Sequence, residues 1–135
     1  ENAVSLKLNP LRAAVEGKRV ILVDDSIVRG TTCGKTVDAI RQAGAKEVHL
    51  RISSPPFVHT CYFGTDIGSE ENLIANQLTI PEIEKKTGAD TLGYISVEGL
   101  MEACKNSGLQ LCDGCFTGNY ATHVENASKD AMEGT

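Results

Sequence analysis

The chain has no apolar run near the ~18 residues that a membrane-spanning helix requires. Its opening, "ENAVSLKLNP", lacks the basic-then-apolar layout of a secretory signal. A cytoplasmic protein with no membrane partner is expected. Positive charge is also in short supply, since 13 Lys and Arg stand against 18 Asp and Glu for a formal net charge of -5. The basic residues are scattered rather than massed, which argues against a nucleic-acid partner and leaves room only for local binding of a small polyanion. Aromatic residues make up just 4%, yet 41% of the chain is hydrophobic, the balance of an ordinary globular protein. The 135 residues suit about one domain, without internal repeats or low-complexity linkers. Five cysteines, at 33, 61, 104, 112 and 115, are odd in number and do not have the spacing of a small secreted scaffold, so thiols or metal ligands fit better than disulfides. The first residue is Glu rather than Met, which suggests processing or a piece of something longer.

What is present concentrates in "VILVDDSIVRGTT", Val20 to Thr32. Residues Arg19 to Asp24 read as a strand apolar on both faces, the pattern of a parallel strand covered by helices on each side. Asp24 and Asp25 then sit at its carboxyl end. Thr31 or Thr32 is placed to cap a helix with apolar positions Val37, Ile40 and Ala43, and Gly44 is placed to stop it. "EVHLRI" alternates Val48, Leu50 and Ile52 with His49 and Arg51, a second strand with one face better buried. Together these make a βαβ unit and an α/β fold.

The second half is less regular. "SEENLIA" suggests a short helix opened by Ser69 with acids in its first turn, as the helix dipole favours. In "TIPEIEKKTG", Thr79 and Glu82 form a capping box, Pro81 lies in the first turn, Glu82 and Lys86 pair at i, i+4, and Gly88 ends the helix. "DTLGYIS" predicts a short strand, after which Ser96 caps a helix through Leu100, Met101 and Cys104. Residues 1–105 read as one body and 106–135 as an irregular cysteine-containing segment.

In an open α/β sheet, ligands bind beyond the carboxyl ends of the strands. A turn glycine there admits close approach, successive N–H groups before a helix form an anion cradle, and a Thr hydroxyl adds a donor. That half of "DDSIVRGTT" suits a phosphate. The acidic half suits a divalent cation or sugar hydroxyls, because carboxylates only accept hydrogen bonds at neutral pH. One ligand that satisfies both is a phosphorylated ribose carrying Mg²⁺. Two other readings remain: the acids merely cap the turn, or the chain is a receiver-type signalling domain, whose first strand also ends in an acidic pair. A receiver needs a phospho-accepting Asp at the end of a later apolar strand, and Asp66, in "CYFGTDIG", has no such strand.

The thirteen-residue stretch resembles the phosphoribosylpyrophosphate (PRPP) signature of the type I phosphoribosyltransferases. With "LKLNPLRAAVEGKR" before it and "SPP", "GADTLGYISVEGL" and "CFTGNY" after it, the chain is similar to the glutamine PRPP amidotransferase family over nearly its whole length. The resemblance implies part of a type I phosphoribosyltransferase fold, a parallel sheet with flanking helices. It implies formation of 5-phosphoribosylamine and pyrophosphate from PRPP and glutamine-derived ammonia, the first committed step of purine synthesis, by a homo-oligomeric complete protein. In the PRPP-binding stretch, Asp24 and Asp25 would hold the ribose hydroxyls and Mg²⁺, followed by Ser26. Val28, Arg29, Gly30, Thr31 and Thr32 would hold the 5-phosphate through backbone N–H groups and the Thr32 hydroxyl. Many relatives that act on nucleobases carry an acid at the position of Val28; ammonia needs no such base. Another PRPP-binding transferase or regulator is the alternative.

Cys112 and Cys115 form a Cys-x-x-Cys in "CDGCFTG", with Cys61 in "HTCYFG" a third candidate ligand. Buried unliganded thiols and a zinc site completed by His59 or His123 both fit the spacing; a thioredoxin-like redox pair fits less well, since such a pair normally opens a helix after a strand and this one is followed by "FTGNY". The resemblance is to the cluster-bearing branch, in which Cys at these three positions and one farther upstream hold a [4Fe–4S] cluster. The upstream Cys is absent, and Cys33 and Cys104 match no ligand position and read as core thiols. Such a cluster would tie down a tail that otherwise has few apolar residues to hold it. The family's N-terminal glutaminase domain, flexible active-site loop and pyrophosphate loop are also missing. The chain is therefore expected to be a C-terminal part, inactive alone.

Overall fold

Val48, Leu50 and Ile52 share one face of a period-2 strand, and that face is the centre of the molecule. All three are almost wholly inaccessible to solvent, each burial contributing about 1.5–3 kcal/mol. The computed structural model describes residues 12–67 and 69–122. Along the chain run α1 (Arg12–Val15), β1 (Arg19–Asp24), α2 (Thr31–Gln42) and β2 (Glu47–Ile52). A 3-10 turn (Glu70–Asn72), α3 (Ile74–Gln77), α4 (Ile80–Thr87) and β3 (Thr91–Tyr94) follow. Last come α5 (Val97–Cys104), a second 3-10 turn (Lys105–Ser107) and α6 (Gly114–Thr117).

The three strands are parallel in the order β1-β2-β3. Val20 lies opposite Val48 and Leu22 opposite Leu50, while Leu92 and Tyr94 of β3 continue the rows of Leu50 and Ile52. Val37 and Ile40 of α2 pack on Val48, Val20 and Leu22. Ile83 of α4 joins Leu50, Ile52, Ile27, Cys33 and Ile74 in the main cluster. The predicted βαβ unit is therefore present. Gly44, at φ 98°, follows the last turn of α2 and ends it as expected.

Among the described residues β1 is covered on one face, where its apolar pattern predicts both. Its second face, Ile21 and Val23, is 68% exposed at each residue, because among the described residues the helices that join the sheet's core clusters, α2, α3 and α4, pack on the other side. On the same open face, a polar chain runs across all three strands. Arg19 donates to Glu47 (2.6 Å), His49 bridges Glu47 and Thr91 (3.0 Å each), and Arg51 donates to Thr91 Oγ1 (3.0 Å).

Capping follows the sequence in two helices and departs from it in a third. Ser96 Oγ accepts from Gly99 N–H at 3.0 Å and starts α5. Glu82 accepts from both the backbone N–H and the hydroxyl of Thr79, each at 2.8 Å, and Gly88 at φ 74° ends α4. These bonds hold the Glu82 carboxyl below its ordinary range, the backbone donor contributing most. With its carboxylate turned to the cap, Glu82 makes no ion pair with Lys86 among the described residues, contrary to expectation. Neither Thr31 nor Thr32 caps α2: the N-cap is Gly30, and no side chain bonds there.

Residues 114–120 dock through their own apolar side chains, contrary to the expectation that this stretch has few to hold it. Phe116 stacks on Phe57 with ring centroids 4.9 Å apart, and Cys115 and Phe116 pack against Phe57, Ile67 and Leu73. Tyr120 meets Tyr62 edge-on at 5.2 Å and donates its hydroxyl to Thr60 C=O at 2.7 Å. Gly114 is needed there, because a Cβ would lie 2.4 Å from the Tyr120 ring.

Candidate functional site

The alternation that buries Val20 and Leu22 continues to Asp24, which points to the helix-covered side at the end of β1; Asp25, one residue on, is exposed. Two neighbouring carboxylates thus diverge. Asp24 Oδ1 accepts from Asp25 N–H (3.0 Å), Oδ2 accepts from the Cys33 thiol (3.5 Å), and Asp25 Oδ1 accepts from Ser26 Oγ (3.3 Å). Among the described residues neither aspartate pairs with Lys or Arg. Burial, and next the charge of Asp24, push the Cys33 thiol up to about 12. Cys33 is a core thiol, as expected, at 3% exposure.

Between the acids and α2, the loop is pinned from below. Ile27 inserts into the main cluster and Val28 C=O accepts from Ile74 N–H at 2.9 Å. Gly30 has φ 79°, and a Cβ on it would come 2.7 Å from Ile74 Cδ1, so a glycine is required by both conformation and space. The first intrahelical bond runs from Gly34 N–H to Gly30 C=O (3.1 Å). The N–H groups of Thr31, Thr32 and Cys33 precede it, at the positive end of the helix dipole.

These parts surround one cavity of about 510 Å³, lined by every residue from Asp24 to Cys33 and, across it, by Asp66, Asn72 and Leu73. Its size is that of a small-molecule site. All eight residues expected from the sequence, Asp24, Asp25, Ser26, Val28, Arg29, Gly30, Thr31 and Thr32, meet there. Sequence reasoning missed Cys33, Asp66, Asn72 and Leu73. Asp66 stood out only as an acid without a strand, and no local pattern in "SEENLIA" tells which residue turns to the loop.

The cysteines form a second region. Cys61 and Cys115 are half-buried against Phe57, Ile67 and Leu73, whereas Cys112 is exposed. Burial first, then the nearby Cys61 and more weakly Cys112, push the Cys115 thiol up to about 11. The Cys115 carbonyl accepts from Val58 and His59 N–H (3.1 Å each). Among the described residues, no three His, Cys, Asp or Glu side chains close into a metal-sized group. His59, a candidate zinc ligand, has Nδ1 on Glu70 Oε1 at 2.8 Å; His123 lies outside the described residues. No helix among the described residues is long and apolar enough to cross a membrane.

No family model matches the chain. Curated relatives do match. The chain is 52% identical over 124 residues to an amidophosphoribosyltransferase of Methanocaldococcus jannaschii, covering 92% of this chain and 26% of the relative. It is 51% identical to amidophosphoribosyltransferase 1, chloroplastic, of Arabidopsis thaliana, covering 87% of the chain and 21% of that protein. The solved glutamine PRPP amidotransferase of Bacillus subtilis, complexed with ADP and GMP, superposes with a TM-score of 0.79 at 46% identity, over 89% of this chain and 27% of that one. The parallel sheet with flanking helices is thus part of the phosphoribosyltransferase fold of these proteins. The chain belongs to the amidophosphoribosyltransferase family, of whose curated members it spans about a quarter of the length.

Proposed function

We propose that the chain forms the phosphoribose-binding part of an amidophosphoribosyltransferase, in which PRPP and ammonia taken from glutamine give 5-phosphoribosylamine and pyrophosphate. One observation carries this reading: the acid pair, the Gly30 turn and the free N–H groups that open α2 converge on a single cavity. The 5-phosphate would sit on the backbone of Val28 to Thr32 with the Thr32 hydroxyl beside it, and the ribose hydroxyls would face Asp24 and Asp25. The donors and acceptors match, since N–H groups at a helix start favour an anion and carboxylates accept from hydroxyls.

Two carboxylates without a basic partner among the described residues also suit a divalent cation held by Asp24 and Asp25. Bound Mg²⁺ supplies charge stabilisation to the departing pyrophosphate. Val28 presents no proton acceptor to the cavity, and ammonia as nucleophile needs none. The activity belongs to the complete protein, which we read as cytoplasmic, and the chain alone is expected to be inactive. For the cysteines, the soft thiolate chemistry of Cys61, Cys112 and Cys115 suits a [4Fe–4S] cluster completed by one thiolate from elsewhere in the protein, although the three do not themselves close into a metal-sized group. Support comes from the packing of Cys61 and Cys115 against one apolar cluster and from the nearness of Cys61 and Cys112 to the Cys115 thiol, whose pKa both raise.

The test is Asp24→Asn and Asp25→Asn in the complete protein. Each should weaken Mg²⁺-PRPP binding on the order of tenfold or more, the worth of a charge-assisted hydrogen bond, while glutamine hydrolysis is spared. Wild-type PRPP affinity in both variants would sink the assignment. Covalent phosphorylation by acetyl phosphate would point to a receiver instead.

A further inference from the structure

Cys33 is the third residue of α2 and is buried. Side chains on a helix lean toward its N-terminus, so this thiol points back at the end of β1, where Asp24 turns inward. The carboxylate only accepts, so the 3.5 Å contact from Sγ to Oδ2 has the thiol as donor. Oδ1 is held in turn by Asp25 N–H at 3.0 Å. The backbone beneath is fixed as well, with Ser53 donating to Asp24 C=O from its N–H (2.9 Å) and its hydroxyl (3.2 Å). Both oxygens of Asp24 thus have a donor within the protein, and its carboxyl plane is set before any ligand arrives. Asp25 differs: it is exposed, and Ser26 is the donor to it.

We infer that Cys33 is a positioning residue for Asp24, its thiol fixing the carboxylate in the orientation that meets the sugar end of the ligand. The inference rests on the PRPP reading of the cavity. It assigns a role to a cysteine that takes no part in the cluster and explains why a buried thiol lines a polar site. A thiol is a weak donor, so its work is orientation rather than strength of binding. A hydroxyl at the same place would do the same.

The experiment compares Cys33→Val, which keeps bulk without a donor, with Cys33→Ser, which keeps a donor, and with Asp24→Asn, all in the complete protein. Binding of Mg²⁺-PRPP is measured by calorimetry, and KM and kcat are measured alongside. Cys33→Val should raise the PRPP Kd and KM about threefold to tenfold, with kcat changed less than about twofold and glutamine hydrolysis intact. Cys33→Ser should bring Kd most of the way back. Equal impairment by Val and Ser at matched thermal stability would show a packing role and overturn the inference. So would wild-type affinity in Cys33→Val beside a damaged Asp24→Asn, an outcome that leaves the PRPP reading standing. Wild-type affinity in Asp24→Asn alone likewise overturns the inference, and the PRPP reading itself falls only if Asp25→Asn also keeps wild-type affinity. Should Cys33→Val fail to fold, Cys33→Ser decides: affinity near wild type supports the inference, and a raised Kd in a folded protein overturns it.

Discussion

Gly30→Ala is the substitution whose cost can be worked most directly from the structure. Gly30 sits at φ 79°, and a Cβ there would lie 2.7 Å from Ile74 Cδ1 and 3.8 Å from Ile27 Cγ2. The left-handed backbone alone costs an alanine about 1–2 kcal/mol. The clash adds to it, because Ile74 is 2% exposed and its terminal methyl has to find a new rotamer in a packed core, a repacking worth about 1–3 kcal/mol. The sum is about 2–5 kcal/mol, a large share of the ~5–15 kcal/mol by which proteins are stable. Gly17 is the control: it has φ 70° but nothing within 4 Å of the added Cβ, so Gly17→Ala carries only the conformational part. Urea unfolding midpoints of the two variants measure the difference. Ile74→Val removes Cδ1 and should recover part of the Gly30→Ala loss in a double-mutant cycle. Since Val28 C=O hangs from Ile74 N–H, Gly30→Ala should also weaken PRPP binding, and Gly17→Ala should not. Equal costs for the two alanines, with no coupling to Ile74, would refute the close-approach argument.

Asp90 accepts from Val48 N–H (2.7 Å) and from Arg41 (2.8 Å), and these, the backbone donor first, hold its carboxyl below the ordinary range. Its contribution is therefore complete above the unfolded value near 3.8 and fades as pH falls through the lower folded value; Asp90→Asn should flatten the acid side of a thermal-stability profile, and an unchanged profile would count against the bond. The complete protein purified without oxygen should carry about four iron and four sulfide per chain, lowered by Cys112→Ser and untouched by Cys104→Ser; stoichiometric zinc without iron would refute the cluster. Loss of metal should leave the tail docked, whereas Phe116→Ala, at about 2 kcal/mol for a half-buried ring against Phe57, should expose it to protease.

What was legible in the sequence was whatever local periodicity or local chemistry determines. The strands at "RVILVD", "EVHLRI" and "TLGY", the glycine stops at Gly44 and Gly88 and the cap at Ser96 each depend on a few adjacent residues, and each is present. The misses involve partners distant in the chain. Ile21 and Val23 are as apolar as Val20 and Leu22, and nothing in the strand itself tells which pair the described helices cover. The hold on the tail comes from Phe57, Tyr62 and Thr60, about sixty residues before it, so composition of the tail alone undercounts its apolar contacts. Thr31 and Thr32 look like caps by type, but the left-handed Gly30 occupies that position and leaves both threonines on the rim of the cavity.

The same distinction accounts for the two aspartates. A strand end with period 2 sends consecutive side chains to opposite faces, so the run Val20, Leu22, Asp24 already implies that one acid turns toward the helix layer and the next toward solvent. The inward acid needs donors inside the protein, because a half-buried carboxylate without them is costly; it has the Asp25 N–H and the Cys33 thiol. The outward acid needs none and keeps its oxygens largely for a ligand. Two carboxylates in sequence are thus not a repelling pair but a rigid acceptor beside an adaptable one. That arrangement suits a ligand with fixed vicinal hydroxyls and a mobile cation better than it suits a simple turn cap, for which a single acid would serve.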